Sequence, residues 1–187
     1  MPIYMDRHDV SEEVTAEVVA QLHQEDLKIE HKFGCRGLTY WFDDKRKTAF
    51  CLIEAPNKEA IKEMHDHAHG EVPHSIIKVN EQVVESFLGR IEDPDKTKSE
   101  ELNIIDDPAF RIILVMETSN YLNRLDANQF NIFTQKFHKS VTKAFNHFEG
   151  SVARKDNNSY LVSFKSVTNA ILCALKIQSS YKYITPK

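Results

Sequence analysis

Hydrophobic and polar positions alternate at the start of the chain, with Ile3 and Met5 on one side and Tyr4, Asp6 and His8 on the other. That period of two predicts a strand over residues 2–8. Ser11 is placed to cap the helix that follows, and Glu12 and Glu13 suit its positive end. Val14, Val18, Val19 and Leu22 then recur at helical spacing, and Gly34 marks the exit. Two strands are predicted over 37–42 and 48–54, joined by the polar turn Asp43, Asp44, Lys45 and Arg46. A second helix over 57–69 points Ile61, Met64 and Ala68 inward and stops at Gly70. A short strand over 76–79 completes the set. The order βαββαβ is an α+β, ferredoxin-like plan, with two helices on one face of an antiparallel sheet.

The second and third strands carry large apolar groups on both sides: Leu38, Tyr40, Trp41 and Phe42, then Phe50, Cys51, Leu52 and Ile53. A sheet with one wet face alternates more cleanly. The pattern therefore calls for a second sheet over the open face, supplied by a dimer partner or by the rest of this chain. Residues 88–107 hold Asp93, Pro94, Asp95 and Asp106 with few apolar groups besides Ile104 and Ile105, which marks a linker. A domain over 1–87 thus precedes a second over 108–187. The second reads as a strand over 110–117, a helix over 127–148, a hairpin around 156–159 and a helix over 167–183. This βαββα order lacks its last strand.

Charge narrows the function classes. Residues 1–80 hold 15 acidic and 10 basic side chains, and the remainder holds 13 and 14, so neither half has the basic excess of a nucleic-acid binder. No apolar run is long enough to span a bilayer and no secretory leader is evident, which points to the cytoplasm and away from a membrane partner. Cys35, Cys51 and Cys173 are isolated and odd in number, which suits a reduced compartment.

Six of the nine histidines fall within the first seventy residues. His65 and His69 lie four apart and share one helix face, a spacing that lets two imidazoles reach one divalent cation. His67 lies about 200° round the helix from His65 and faces solvent. His23 and Asp26 sit three apart on the first helix, and His8 ends the first strand on the side shared by Asp6. In a ferredoxin-like fold these elements are neighbours. Imidazoles with a carboxylate suit nickel, zinc or copper better than calcium or magnesium, and no thiolate pair argues for a closed structural zinc site.

The segments MPIYMDRHDV, VTAEVVAQLHQEDL, GLTYWFDD, FCLIEAPNKEAI and MHDHAHG resemble the small bacterial nickel-binding ferredoxin-like proteins. That resemblance implies a dimeric α/β barrel of two sheets with nickel held by histidines. By position it makes His8, His23, His65 and His69 the leading ligands, with Asp26 and Asp6 behind them. Residues 109–183 resemble the opening portion of the class III nucleotide cyclase catalytic domain. The likeness is carried by Ile112 to Glu117, by Leu122, Arg124 and Leu125, by Phe148 to Val152 with Lys155, by Tyr160 to Phe164, and by Ala170, Ala174, Leu175 and Gln178. Such cyclases hold two metal ions with two aspartates. Glu117 stands at the first position here and Asn158 at the second, flanked by Asn157 and Ser159 in place of turn glycines. A neutral amide cannot offset the charge of a phosphate-bound cation, so the resemblance implies a truncated module without turnover.

These readings combine into a homodimeric metal-binding, sensing or storage protein with a non-catalytic second module and no nucleic-acid or membrane partner. Two rivals stand beside it: a barrel enzyme using the His-lined cavity on a small substrate, and a nucleotide-sensing regulator.

Overall fold

The computed structural model describes residues 1–94, 102–105, 107–117, 127–156 and 158–181. Asp95, Asp106, Leu122, Arg124, Leu125 and Asn157, and the last two residues of the helix predicted to reach 183, lie outside the described residues. The chain forms two compact units: Met1–Glu85 with Arg90–Phe110, and Ser86–Gly89 with Arg111–Lys187. Both are α+β with antiparallel sheets, as the patterning predicts.

The first unit runs β1 (Ile3–Asp9), α1 (Ala16–Ile29), a short 3-10 turn (Glu30–Phe33), β2 (Arg36–Asp43), β3 (Thr48–Glu54), α2 (Lys58–Ala68) and β4 (Ser75–Val79). Its sheet has the order β2-β3-β1-β4, the ferredoxin-like arrangement, with β1 paired antiparallel to both β3 and β4. Helix α1 starts later than Ser11 implies. Ser11 closes a turn with Val14 instead, and the Thr15 side chain accepts from the Val18 N–H as the cap. Helix α2 is capped by Asn57, whose side chain accepts the Ala60 N–H at 2.8 Å. At its far end both His69 and Gly70 donate to the His65 carbonyl, and Gly70 takes the left-handed φ of 81° that ends the helix.

Tyr40, Phe42, Ile53, Ile61 and Met64 pack with Val19 and Ala20 into the core. The face that α1 buries only partly follows the valine stripe. Val18 is exposed, and Val19, Ala20, His23 and Asp26 turn inward. Two polar groups take interior positions that a periodicity argument reserves for apolar ones.

The stretch predicted as a linker makes specific contacts within the first unit. Arg90 lies 4.5 Å over the Trp41 ring and donates to the Tyr40 carbonyl and to Thr39 Oγ1. The Tyr40 hydroxyl donates to the Asn103 carbonyl and accepts the Ile105 N–H, and Ile105 is buried.

Helix α3 (Glu81–Leu88) follows β4, and the carbonyls of Phe87 and Leu88 are satisfied by the Arg111 guanidinium. The second unit then runs β5 (Ile112–Glu117), α4 (Ala127–His147), β6 (Ser151–Lys155), β7 (Ser159–Phe164) and α5 (Val167–Tyr181). Its sheet has the order β5-β7-β6. The interior is apolar, built from Phe137, Val141, Phe145, Val162, Phe164 and Cys173. Gly150 is required at the α4–β6 corner, because a Cβ there would lie 2.6 Å from the Phe164 ring.

Candidate metal centre

Alternate residues of a strand point the same way, so β1 sends both Asp6 and His8 to the interior. Antiparallel pairing with β3 sets Cys51 opposite Asp6. Helix α1 supplies His23 and Asp26, and α2 supplies His65 and His69, because positions three and four apart share a helix face. All of these except His69 are buried.

His65 is the hub. Its Nε2 lies 2.9 Å from Asp6 Oδ2 and its Nδ1 lies 3.0 Å from Asp26 Oδ1. His69 Nε2 sits 3.3 Å from both His65 Nδ1 and Asp26 Oδ1. The Cys51 N–H donates to Asp6 Oδ1 at 2.9 Å, and His8 Nε2 stands 3.4 Å from that same oxygen. The donor atoms fall into two groups, Asp26 with His65 and His69, and Asp6 with His8 and Cys51, the atoms of each within 4.8 Å of one another.

His23 behaves differently. It lines the same cavity of about 300 Å³, but its Nε2 faces Asp93 Oδ2 at 3.2 Å and its ring packs 5.0 Å from that of Tyr40. Four of the five residues predicted to hold metal (His8, Asp26, His65 and His69) thus fall in the two donor groups, and His23 does not. Asp6, ranked behind them by the resemblance, is central. Cys51 looks like a core residue in the sequence, and Asp93 looks like a linker residue beside Pro94. Only the two-residue spacing of Asp6 and His8 could have signalled any of these. His67 is exposed, as its position round the helix predicts.

Electrostatics bind the cluster together. Burial alone would raise the Asp6 carboxyl, but the His65 hydrogen bond and the approach of His8 hold it far below the usual carboxylate range. Asp26 is likewise lowered against its burial, by His65 and His69. Burial alone would lower His65, yet Asp26 and Asp6 raise it to about 9. The Cys51 thiol is pushed up by burial and by the charges of Asp6 and Asp26. Near neutral pH, His65 is therefore a cation clamped between two carboxylates.

The donor set fits a transition metal. Imidazole nitrogens alternate with carboxylate oxygens, a mixture that suits nickel, zinc or copper. His8 Nε2 is buried and has no hydrogen-bond partner among the described residues. That nitrogen, 3.4 Å from Asp6 Oδ1, has the chemistry and placement of a metal ligand.

The model of the nickel responsive protein SCO4226-like family matches residues 4–79. SCO4226 from Streptomyces coelicolor A3(2), known from a crystal structure, is 31% identical over 41% of this chain and 94% of its own, with a TM-score of 0.39. The chain belongs to the SCO4226-like family. The family match runs from β1 to β4 and contains every residue of both donor groups. Two structures of a bacterial light-regulated adenylyl cyclase match 98% and 97% of this chain at 13% identity, with TM-scores of 0.36 and 0.37. This chain spans 66% and 65% of their length, and at that distance the likeness carries no argument. No curated protein matches the chain.

In the second unit, Glu117 ends β5 opposite Ser159 of β7. Asn158 borders an open polar recess with His138, Lys155 and Asp156. Among the described residues no helix is long and apolar enough to cross a membrane.

Proposed function

We propose that this protein binds nickel, or a transition ion of similar preference such as zinc or copper, in its first unit. The donors are Asp26, His65 and His69 with Asp6 and His8. The observation that carries this reading is the convergence of Asp6, His8, Asp26 and His69, drawn from one strand and two helices, on the buried imidazole of His65. Membership of a nickel-responsive family supports the choice of metal. The role is binding, sensing or storage, in a cytoplasmic homodimer, with the second unit a non-catalytic module. His23, which faces Asp93, stands outside the two donor groups and is not counted among the ligands.

Binding of a cation must displace the proton that bridges His65 to one carboxylate, because a ring nitrogen cannot donate to oxygen and ligate metal at once. Cation uptake and proton release are therefore coupled. Nickel titration of the metal-free protein in weakly buffered solution tests this. The reading predicts stoichiometric uptake with release of protons, and absence of uptake contradicts it.

A second reading has one observation in its favour. Val14, Val18, Val19, Leu22 and Val72 line the cavity beside the cluster, which would suit a small apolar substrate next to a bound cation. Metal-loaded protein that binds small apolar molecules in that cavity would favour this enzyme reading over storage.

A further inference from the structure

Part of the valine stripe of the first helix is not absorbed by the core. Val18 is 39% exposed and Leu22 is only half-buried, although Val19 and Ala20 beside them are core residues. Both line the cavity of about 300 Å³, together with Val10, Val14 and Val72, the last of which is 43% exposed. Positions 18, 22 and 26 of α1 lie four apart and share a face, so this apolar row leads to the carboxylate of Asp26.

The rest of the lining carries the donors. Asp26, His65 and His69, the whole of one donor group, line the cavity, and so do His8 and Cys51 of the other. Three protein donors on a four-coordinate ion leave a position open, which in metal sites of that kind falls to water or to a small ligand. A water takes up only about 30 Å³, a small part of the space present. The cavity falls instead at the lower end of the roughly 300–1,000 Å³ range of small-molecule sites.

We infer that the first unit takes up its cation together with a small chelating acid, an α-amino or α-hydroxy carboxylate with a short branched apolar side chain. The inference rests on the metal-binding reading above and names what fills the cavity beside the ion. Such a molecule has two ends, as the cavity does. Its carboxylate and neighbouring amine or hydroxyl supply donors to the open side of the ion, and its side chain lies on Val14, Val18, Leu22 and Val72. A purely apolar molecule leaves the open coordination position unmet, and a chelator without an apolar body leaves the valine and leucine wall wet. Charge sets the order of uptake. Asp9, Asp26 and Glu71 line the cavity, and among the described residues no lysine or arginine does. A carboxylate is therefore repelled until a divalent cation offsets them. The metal enters first and the acid second.

The test is equilibrium dialysis of the full chain with nickel alone and then with L-leucine or glycine added, reading the nickel and the amino acid retained by the protein. The two amino acids chelate free nickel through the same nitrogen and oxygen atoms and differ only in the side chain offered to the cavity. The proposal predicts that nickel-loaded protein retains leucine about tenfold or more tightly than glycine, and that protein without nickel retains neither. Val18→Ala/Leu22→Ala removes the apolar row and should keep circular dichroism and nickel uptake unchanged. It should bring leucine to within about threefold of glycine. Equal retention of the two amino acids by nickel-loaded protein overturns the proposal and leaves the nickel site standing. Leucine held as well without nickel as with it overturns the proposal too. Absence of nickel uptake is a separate result, which removes the metal-binding reading and the inference with it.

Discussion

The two units share a strand–helix–hairpin–helix grammar and fill the space between helices and sheet in opposite ways. In the first, β1 contributes Asp6 and His8, α1 contributes His23 and Asp26, and α2 contributes His65. In the second, β5 contributes Ile112, Leu114 and Met116, α4 contributes Phe137, Val141 and Phe145, and α5 contributes Ala170 and Cys173. The fold tolerates either filling, so the fold alone does not define a site. Asp6 and Asp26 are each held there by an imidazole, at a cost in desolvation that an apolar core avoids. A protein core keeps such a cluster where a ligand needs it. The second unit has the cheaper interior.

That contrast can be broken most sharply at its hub. His65→Ala removes the shared partner of Asp6 and Asp26 and leaves two buried carboxylates short of a donor. The first unit should lose about 3–5 kcal/mol in denaturant unfolding, and adding Asp26→Asn should restore part of it. A loss below about 1 kcal/mol would mean that the cluster is not electrostatically clamped. Phe145→Ala in the second unit should cost roughly 3–5 kcal/mol through a cavity alone. Calorimetry should then show that only the transition of the second unit moves, with nickel uptake unchanged.

The pH dependence sharpens the comparison further. The His65 pKa is raised from 6.5 to about 9 in the folded protein, so its stabilising contribution is complete below 6.5 and is lost as pH rises toward 9. Asp6 and Asp26 are depressed, so their contribution is present above about 3.8 and fades as pH falls. Metal-free melting of the first unit should therefore decline from pH 6.5 to 9, while nickel affinity rises over the same interval as the competing proton leaves. A flat melting profile across that interval would contradict the clamp. The smallest effect belongs to His67, which is exposed. His67→Ala should shift stability by no more than about 0.5 kcal/mol and leave nickel affinity unchanged in calorimetric titration.

Much of the fold is legible in the chain. Period-two alternation finds β1 and its inward pair Asp6 and His8, and the four-residue spacing finds His65 and His69 on α2. What escapes does so for one physical reason: pattern reading equates burial with apolarity. The inward face of α1 includes His23 and Asp26 beside Val19, so the visible valine stripe marks only part of it. The stretch containing Arg90, Asp93 and Ile105 reads as linker because its attachment is by a guanidinium, a carboxylate and backbone hydrogen bonds. Such contacts leave no periodic trace. The cap moved from Ser11 to Thr15 because both hydroxyls suit the role and only the turn between them decides it.

The measurement that bears most directly on the account is calorimetric nickel titration of the metal-free full chain beside His69→Ala and the double variant His65→Ala/His69→Ala, with circular dichroism on each. The account predicts tight stoichiometric binding in the wild type, weaker binding in folded His69→Ala, and none in the double variant. Wild-type protein that takes up no nickel, zinc or copper, or a folded double variant that binds as the wild type does, would contradict it.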